Sequence, residues 1–132
     1  PLLCIYSGFD PTAPSLHVGN LLPIITLARA RLHGADIIAL VGGATGLIGD
    51  PSGKKVERPL IDAGIAGDNS GRISRQLTGL FHNIDKVTTN ESSIGSFKVV
   101  DNLDWYKNMN LLDFMKNVGR YARVGPMLSK DR

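Results

Sequence analysis

The sequence offers little that would cross-link the chain or anchor it in a membrane. Its 132 residues include one cysteine, Cys4, which cannot form an internal disulfide. Because Cys4 lies in an apolar run, we expect a buried packing residue, and a reducing compartment fits. No apolar run approaches the roughly 20 residues that a membrane-spanning helix needs, which excludes such a span. No repeat or signal-like segment is evident, so any targeting sequence is expected to be absent or already removed.

Charge of one sign is not concentrated anywhere in the chain. Fifteen Lys and Arg against 12 Asp and Glu give a formal net charge of +3. This balance is compatible with a polyanionic partner such as RNA but does not indicate one by itself. Hydrophobic residues at 42% and charged residues at 20% are typical of a globular chain. The length suits one domain and is short for a complete multistep enzyme, so membership of something larger stays open.

Apolar periodicity predicts a strand, a helix and a second strand near the start of the chain. Residues 2–6 form a short apolar run, and residues 21–32 follow a helical pattern. Asn20 is a candidate N-cap of this helix and Gly34 a candidate C-terminal stop. Residues 37–41 form the second apolar run, which ends at a pair of glycines. A strand–helix–strand unit implies a parallel sheet that binds ligands at the carboxyl ends of its strands.

Farther along, the patterns predict a loop, two helices and a third strand. Residues 51–71 are rich in small and polar residues, and the stretch GDNSG at 67–71 is expected to be a mobile loop. A short strand is predicted at 97–100, and Asn110 is expected to begin a final helix that Gly119 ends. An amphipathic helix, interpreted as core packing, is predicted from the stripe Ile73, Leu77, Leu80, Phe81 and Ile84.

The stretch SLHVGN places His17, Gly19 and Asn20 where the first strand gives way to the first helix. Unpaired backbone N–H groups and the helix dipole favour an anion such as phosphate at this position. A glycine lets a ligand approach the backbone, and His17 and Asn20 can donate hydrogen bonds to phosphate oxygens. Taken alone, the motif is a weak signal, because a lone histidine in a loop is more often structural or incidental.

The stretch GGATGLIGDPSGKK at 42–55 invites comparison with phosphate-binding loops. A P-loop requires a glycine where this chain has Ile48 and a serine or threonine where it has Lys55, so the P-loop is excluded. No Gly-x-Gly-x-x-Gly fingerprint follows either strand. Residues 50–53 fit a type I turn, and a purely structural role stays open.

Such a turn leaves Asp50 near the end of a strand. A carboxylate there could bind an ammonium group, and Lys54 and Arg58 beyond it could reach a polyphosphate.

Two long motifs in order resemble the amino-terminal half of a tyrosyl-tRNA synthetase catalytic domain. They are YSGFDPTAPSLHVGN at 6–20, similar to the class I HIGH signature, and ALVGGATGLIGDPSGKK at 39–55. The likeness covers the whole chain, and NLDW at 102–105 also matches. The resemblance implies an α/β fold with a Rossmann-like parallel sheet, in which residues 1–132 are a partial nucleotide-binding catalytic domain without a complete second domain.

The resemblance also implies a role for each polar position. Tyr6 would offer its phenol to the hydroxyl of substrate tyrosine, and Asp50 would pair with the substrate ammonium. Thr45 and Asn102 would line the tyrosine pocket. The ATP-binding positions would be Gly8, Asp10, His17, Gly19 and Asn20. The groups acting on the reacting phosphates would be Thr12, His17, Lys54 and Arg58.

In two places the chain departs from the family pattern. Asn20 stands where a second histidine is common, and Ser7 stands where bacterial relatives often have cysteine. Both side chains can still make polar contacts, so activity is expected. The resemblance further implies ATP with Mg²⁺, tRNA(Tyr) as partner, a homodimer and no protein metal site. The second half of the fold, the KMSKS loop and the anticodon-binding domain are expected beyond Arg132.

Two other functions stay open at this point. A small nucleotidyltransferase would share the strand–helix–strand unit and the His-x-Gly signature. An RNA-binding splicing cofactor for group I introns would resemble some fungal mitochondrial synthetases, and the Gly- and Pro-rich residues 59–71 are compatible with that lineage. The expected location is the mitochondrial matrix, with the bacterial cytoplasm as the alternative.

Overall fold

A computed structural model describes residues 3–48, 62–88 and 94–129. Within them, a parallel sheet is formed by β1 (Cys4–Phe9), β2 (Asp36–Val41) and β3 (Phe97–Asp101), in the order β1-β2-β3. β2 is therefore central, and in the described part of the chain β1 is an edge strand. The predicted parallel α/β sheet is confirmed, with each strand within three residues of its expected bounds.

Helices connect the strands and follow them. They are α1 (Leu21–Leu32), α2 (Gly43–Ile48), α3 (Ala63–Val87), α4 (Leu111–Asn117) and α5 (Val124–Leu128), with short 3₁₀ turns at Val18–Asn20, Asn102–Trp105 and Gly119–Tyr121. α1 has its predicted bounds. It is followed by Gly34 at φ 87°, a backbone conformation that glycine adopts without strain. No helix among the described residues is long and apolar enough to span a bilayer.

The core lies on one face of the sheet, beneath α1 and α3. Alternate residues of β2 point into it, because successive side chains of a strand face opposite ways. The buried apolar cluster consists of Phe9, Ile24, Leu27, Ile37, Ala39, Val41, Ile73, Leu77 and Phe81. Phe81 also stacks on Phe97 of β3, with ring centroids 4.2 Å apart. The interpretation of the α3 stripe as core packing is confirmed except at Leu80, which is 42% exposed.

The opposite face of the sheet is open among the described residues, and this corrects one prediction. Cys4 is exposed, not buried. It shares its face of β1 with Tyr6, which is 70% exposed, because residues two apart in a strand point the same way. An apolar run alone does not reveal which face of an edge strand will be covered.

The loop predicted at 67–71 is also wrong, since these residues lie inside α3. Asp62 begins the helix by accepting hydrogen bonds from Gly64 N at 2.8 Å and Ile65 N at 3.3 Å. Ala66, Asn69 and Ser70 are buried, which extends the α3 stripe by two turns. Small and polar residues occupy this part of the stripe, so a prediction that counts only apolar side chains assigns it to a loop. The remainder of that prediction, residues 51–61, lies outside the described residues.

The last helices present apolar side chains to solvent. Asn110 Oδ1 accepts from Asp113 N at 2.9 Å, which confirms the predicted start of α4. In the described residues of α4 and α5 no side chain is buried. Among the described residues after β3, the large apolar side chains that are most exposed are Leu111, Leu112, Tyr121, Val124, Met127 and Leu128.

Candidate active site

The carboxyl ends of all three strands meet at the start of α2. Gly42 N donates to Phe9 O at 3.0 Å, which joins the ends of β1 and β2. Gly43 N donates to Asp101 Oδ1 at 3.1 Å, which joins β2 to β3. A Cβ on residue 43 would overlap the Asp101 carboxylate, so this close approach requires glycine. Strand ends that converge in a parallel sheet are where such folds bind ligands.

Thr45 and Asp10 lie side by side at this junction. Thr45 Oγ1 is 2.9 Å from Gly42 O and 3.4 Å from Asp10 Oδ1. A hydroxyl has one hydrogen to donate, and the shorter contact to the carbonyl is the stronger of the two. The structure therefore brings a predicted tyrosine-pocket residue next to a predicted ATP-binding residue.

Asn102 is buried and supports α2. Its Oδ1 accepts from Ala44 N at 2.7 Å, while Asp101 Oδ1 also accepts from Leu103 N at 2.9 Å. One end of the Asn102 amide is thus used to hold the backbone of α2 in place. A direct contact of Asn102 with tyrosine stays a prediction.

The His17 turn is organised by its own side chains. His17 Nδ1 accepts from Gly19 N at 3.0 Å, and Asn20 Oδ1 accepts from His17 N at 2.9 Å. Because Nδ1 accepts, the neutral imidazole carries its hydrogen on Nε2, which is left as a donor. Asn20 occupies the N-cap position of α1, as predicted, but its side chain caps the preceding 3₁₀ turn and not α1. A Cβ on Gly19 would lie 2.8 Å from His17 Cε1, so the turn itself also requires glycine.

Two side chains of α3 contact the loop that leads to this turn, and the sequence patterns did not indicate either. Asn69 Nδ2 donates to Pro11 O at 3.2 Å, and Gln76 Oε1 accepts from Leu16 N at 3.1 Å. Asn69 was not recognised because the sequence patterns placed it in a loop at 67–71. The spacing of Asn69 and Gln76 by two helical turns was an available signal, but only once α3 was known to pass beside the loop.

The remaining predicted residues divide between the open face, the loop and the undescribed part of the chain. Tyr6 and Gly8 lie on the open face of β1, and a Cβ on Gly8 would meet nothing within 4 Å. Thr12 is exposed in the loop after β1. The predicted positions Asp50, Lys54 and Arg58 lie outside the described residues.

Two groups outside this junction have shifted pKa values. At the opposite end of β2, the Ser96 hydroxyl and backbone N–H donate to Asp36 and lower the pKa of that carboxyl. The hydrogen bond from Lys107 to Asp104, aided by the charge of that carboxylate, raises the pKa of the lysine on the surface. The case for a site therefore rests on geometry.

Comparison with known proteins identifies the class of this arrangement. A Rossmann-like parallel sheet with a capped His-x-Gly-Asn turn after its first strand is the arrangement that the class I resemblance implies. The model of the family "tRNA synthetases class I (W and Y)" matches residues 2–132, and the chain belongs to this family. The resemblance inferred from the sequence is confirmed.

The similar proteins are named for tyrosine. The chain is 49% identical over 127 residues to tyrosine–tRNA ligase 1 of Bacillus subtilis, covering 96% of this chain and 28% of that protein. It is 46% identical over 130 residues to the chloroplastic/mitochondrial tyrosine–tRNA ligase of Arabidopsis thaliana, covering 98% and 24%. The chain thus spans about a quarter of the length of these curated relatives. The alternatives of a nucleotidyltransferase and a splicing cofactor are not favoured.

A solved structure shares the fold. A C-terminally truncated mitochondrial tyrosyl-tRNA synthetase of Aspergillus nidulans superimposes with a TM-score of 0.84 at 34% identity, covering 98% of this chain and 37% of that one. At this level of agreement, the three-stranded sheet and its helices correspond to part of that longer structure.

Proposed function

We propose that this chain forms the first half of a site that activates tyrosine with ATP and passes the tyrosyl group to tRNA(Tyr). The observation that carries the proposal is the His17 turn, which presents an Nε2 donor beside α1, after the carboxyl end of β1. The names of the relatives support tyrosine as the substrate within a family that also includes tryptophan enzymes.

In the proposed reaction, a carboxylate oxygen of tyrosine attacks the α-phosphorus of ATP. A bond forms between that oxygen and phosphorus, and the bond to pyrophosphate breaks, with pyrophosphate leaving as an anion. Negative charge spreads over the oxygens of the transferring group, so fixed donors near them lower the barrier. His17 Nε2 and the Thr12 hydroxyl are the donors assigned to this role, and Lys54 and Arg58 would act on the departing pyrophosphate.

The tyrosine side of the proposed site lies across the strand ends. Tyr6, exposed on β1, would contact the substrate hydroxyl, and Asp50 would pair with the ammonium. Thr45 would line the pocket from α2, where Asn102 holds the helix backbone. Gly8, with open space where a Cβ would be, and Asp10 would border the ATP between these groups and the His17 turn.

Mg²⁺ is proposed to enter with ATP. No group of three or more His, Cys, Asp or Glu side chains that could hold a metal occurs in the described ranges. Mg²⁺ commonly uses one or two carboxylates together with substrate phosphates and does not need a protein cage. Asp10, at the strand ends, is the described carboxylate that would face it. When bound, the ion would neutralise charge on the phosphates.

A homodimer is proposed through the region after β3. Leu112 is 79% exposed, Tyr121 66% and Leu128 82%, and exposed apolar side chains in such number are typical of a surface that another chain covers. Sedimentation equilibrium of the full-length polypeptide tests this, and a monomer at micromolar concentration would contradict it.

A mitochondrial location is proposed from relatives such as the mitochondrial tyrosine–tRNA ligase of Drosophila melanogaster, which is 46% identical over 130 residues. The bacterial cytoplasm is the alternative, given the similarity to the Bacillus enzyme. Fractionation of the source cells distinguishes the two.

The test of the activity is amino-acid-dependent exchange of labelled pyrophosphate into ATP by the full-length polypeptide. Tyrosine should support exchange and tryptophan should not. Exchange with tryptophan alone would place the chain in the other branch of the family. The absence of exchange with both amino acids would refute the proposal.

A further inference from the structure

The loop that carries His17 has few core anchors of its own. Pro11 is fully buried and Leu16 packs partly against the core, while Thr12, Pro14 and Ser15 are exposed. The hydrogen bonds of the His17 turn join residues within the turn, so they fix its shape. They do not fix its position relative to the strand ends.

Two amide side chains of α3 add hydrogen bonds that tie the loop to the core. Asn69 Nδ2 donates to Pro11 O at the start of the loop, and Gln76 Oε1 accepts from Leu16 N at its end. The two residues are seven apart, or about two helical turns and roughly 10.5 Å along one face of the helix. Next to Gln76, Leu77 is 0% exposed, so this hydrogen bond ties the loop to the most buried part of α3.

The hydrogen bond from Leu16 N to Gln76 is made one residue before His17. The three amides of Leu16, His17 and Gly19 are each held by a side-chain acceptor, and only that of Leu16 is held from outside the turn. Gln76 and His17 also line the same cavity, of about 460 Å³, between α1 and α3. A shift of the loop on losing Gln76 would therefore carry the imidazole with it.

We propose that Gln76 is a positioning residue for tyrosine activation, which holds His17 Nε2 at the place that the reacting phosphate requires. This inference rests on the proposed function. It predicts an effect on the chemical step in particular, because a misplacement of about 1 Å can cost roughly 10²-fold in rate while leaving the binding of a distant amino acid intact.

The experiment compares three variants of the full-length polypeptide. Gln76→Met keeps the length of the side chain and removes the acceptor, whereas Gln76→Glu keeps an oxygen acceptor at the same position. Arg75→Met introduces the same side chain at the preceding residue of α3, where the side chain is exposed. The kcat and KM of tyrosine-dependent pyrophosphate exchange are measured for each, together with thermal unfolding.

Gln76→Met should lower kcat by about 10- to 100-fold with little change in the KM for tyrosine. Gln76→Glu should restore most of kcat, and Arg75→Met should behave as wild type. The proposal is overturned by wild-type kcat in Gln76→Met, by an equal loss in Gln76→Glu, or by a loss confined to KM.

A measurement on the wild type keeps the proposal testable if Gln76→Met does not fold. Site-resolved amide hydrogen exchange should show the Leu16 amide protected well beyond those of the exposed loop residues Thr12 and Ser15. Exchange of Leu16 at their rate would mean that the Gln76 hydrogen bond is not made, and would overturn the proposal. Failure of the proposed function is recognised separately, since it would appear as no exchange activity in the wild type.

Discussion

Replacing His17 separates two roles that its ring performs at once. Nδ1 caps the 3₁₀ turn by accepting from Gly19 N, and Nε2 is the donor assigned to the reacting phosphate. Loss of a cap costs about 1 kcal/mol of stability. Loss of a donor aimed at developing charge costs about 2.7–4 kcal/mol in the transition state, which corresponds to roughly 10²- to 10³-fold in rate. The catalytic effect should therefore exceed the structural one.

Asparagine is the matched control for this separation. Its Oδ1 lies at the same distance along the side chain as Nδ1 of histidine, so His17→Asn keeps the cap and removes only the distal donor. His17→Ala removes both. Pre-steady-state formation of tyrosyl-adenylate should slow by about 10²- to 10³-fold in both variants, with ATP affinity changed little. Only His17→Ala should also lower the melting temperature.

The result that would refute this reasoning is a forward rate in His17→Asn equal to wild type. It would show that the ring contributes its cap alone. A variant with a normal forward rate and weakened ATP binding would instead assign His17 to ground-state binding.

Three further outcomes are expected. Tyr6→Phe should lower the kcat/KM ratio of tyrosine over phenylalanine by about two- to tenfold, the range for one neutral hydrogen bond of roughly 0.5–1.5 kcal/mol; an unchanged ratio would place Tyr6 outside the pocket. Phe81→Ala should destabilise the domain by about 3–5 kcal/mol in urea unfolding, because the ring is 0% exposed and stacks on Phe97. As the control, His82→Ala changes an exposed side chain and should leave the unfolding midpoint unchanged. Equal midpoints in the two variants would contradict the packing of Phe81. Residues 1–132 expressed alone should give no pyrophosphate exchange. They span about a quarter of the length of the relatives, so they would orient only part of the reactants. Turnover near that of the full-length polypeptide would favour a self-sufficient nucleotidyltransferase.

Local patterns predicted the elements whose burial follows simple periodicity. Residues 21–32 repeat with the period of a helix, residues 37–41 form a short apolar run bounded by glycines, which is typical of a buried strand, and Gly34 provides the expected stop. The patterns failed at 67–71 because the buried face there is made of small and polar side chains, which a count of apolar residues does not detect. Burial of Asn69 depends on its partner Pro11, 58 residues away.

The polar side chains at the strand ends show the same limit. His17 and Asn20 were found from the sequence because they stand where the first strand gives way to the first helix, and their hydrogen-bond partners lie within three residues. Gln76 was not, since its partner Leu16 is 60 residues distant and no local spacing records it. The predicted role of Asn102 came from resemblance alone, and its contact with Ala44 N could only be seen once β3 was placed beside α2.

Asp101 at the end of β3 and Asn102 in the turn that follows cap α2, and this makes the charge at the carboxyl ends of the strands asymmetric. The first amides of α2 are already taken by the Asp101 carboxylate and the Asn102 amide, and Asp10 adds a second negative charge beside Thr45. The first turn of α1, by contrast, carries no acidic residue. The strand ends near α2 are therefore anionic, whereas the start of α1 retains the positive pole of a helix. In the proposed function, this separation of charge would favour one orientation of a ligand that has an ammonium group at one end and phosphates at the other, before any contact specific to its side chain is made.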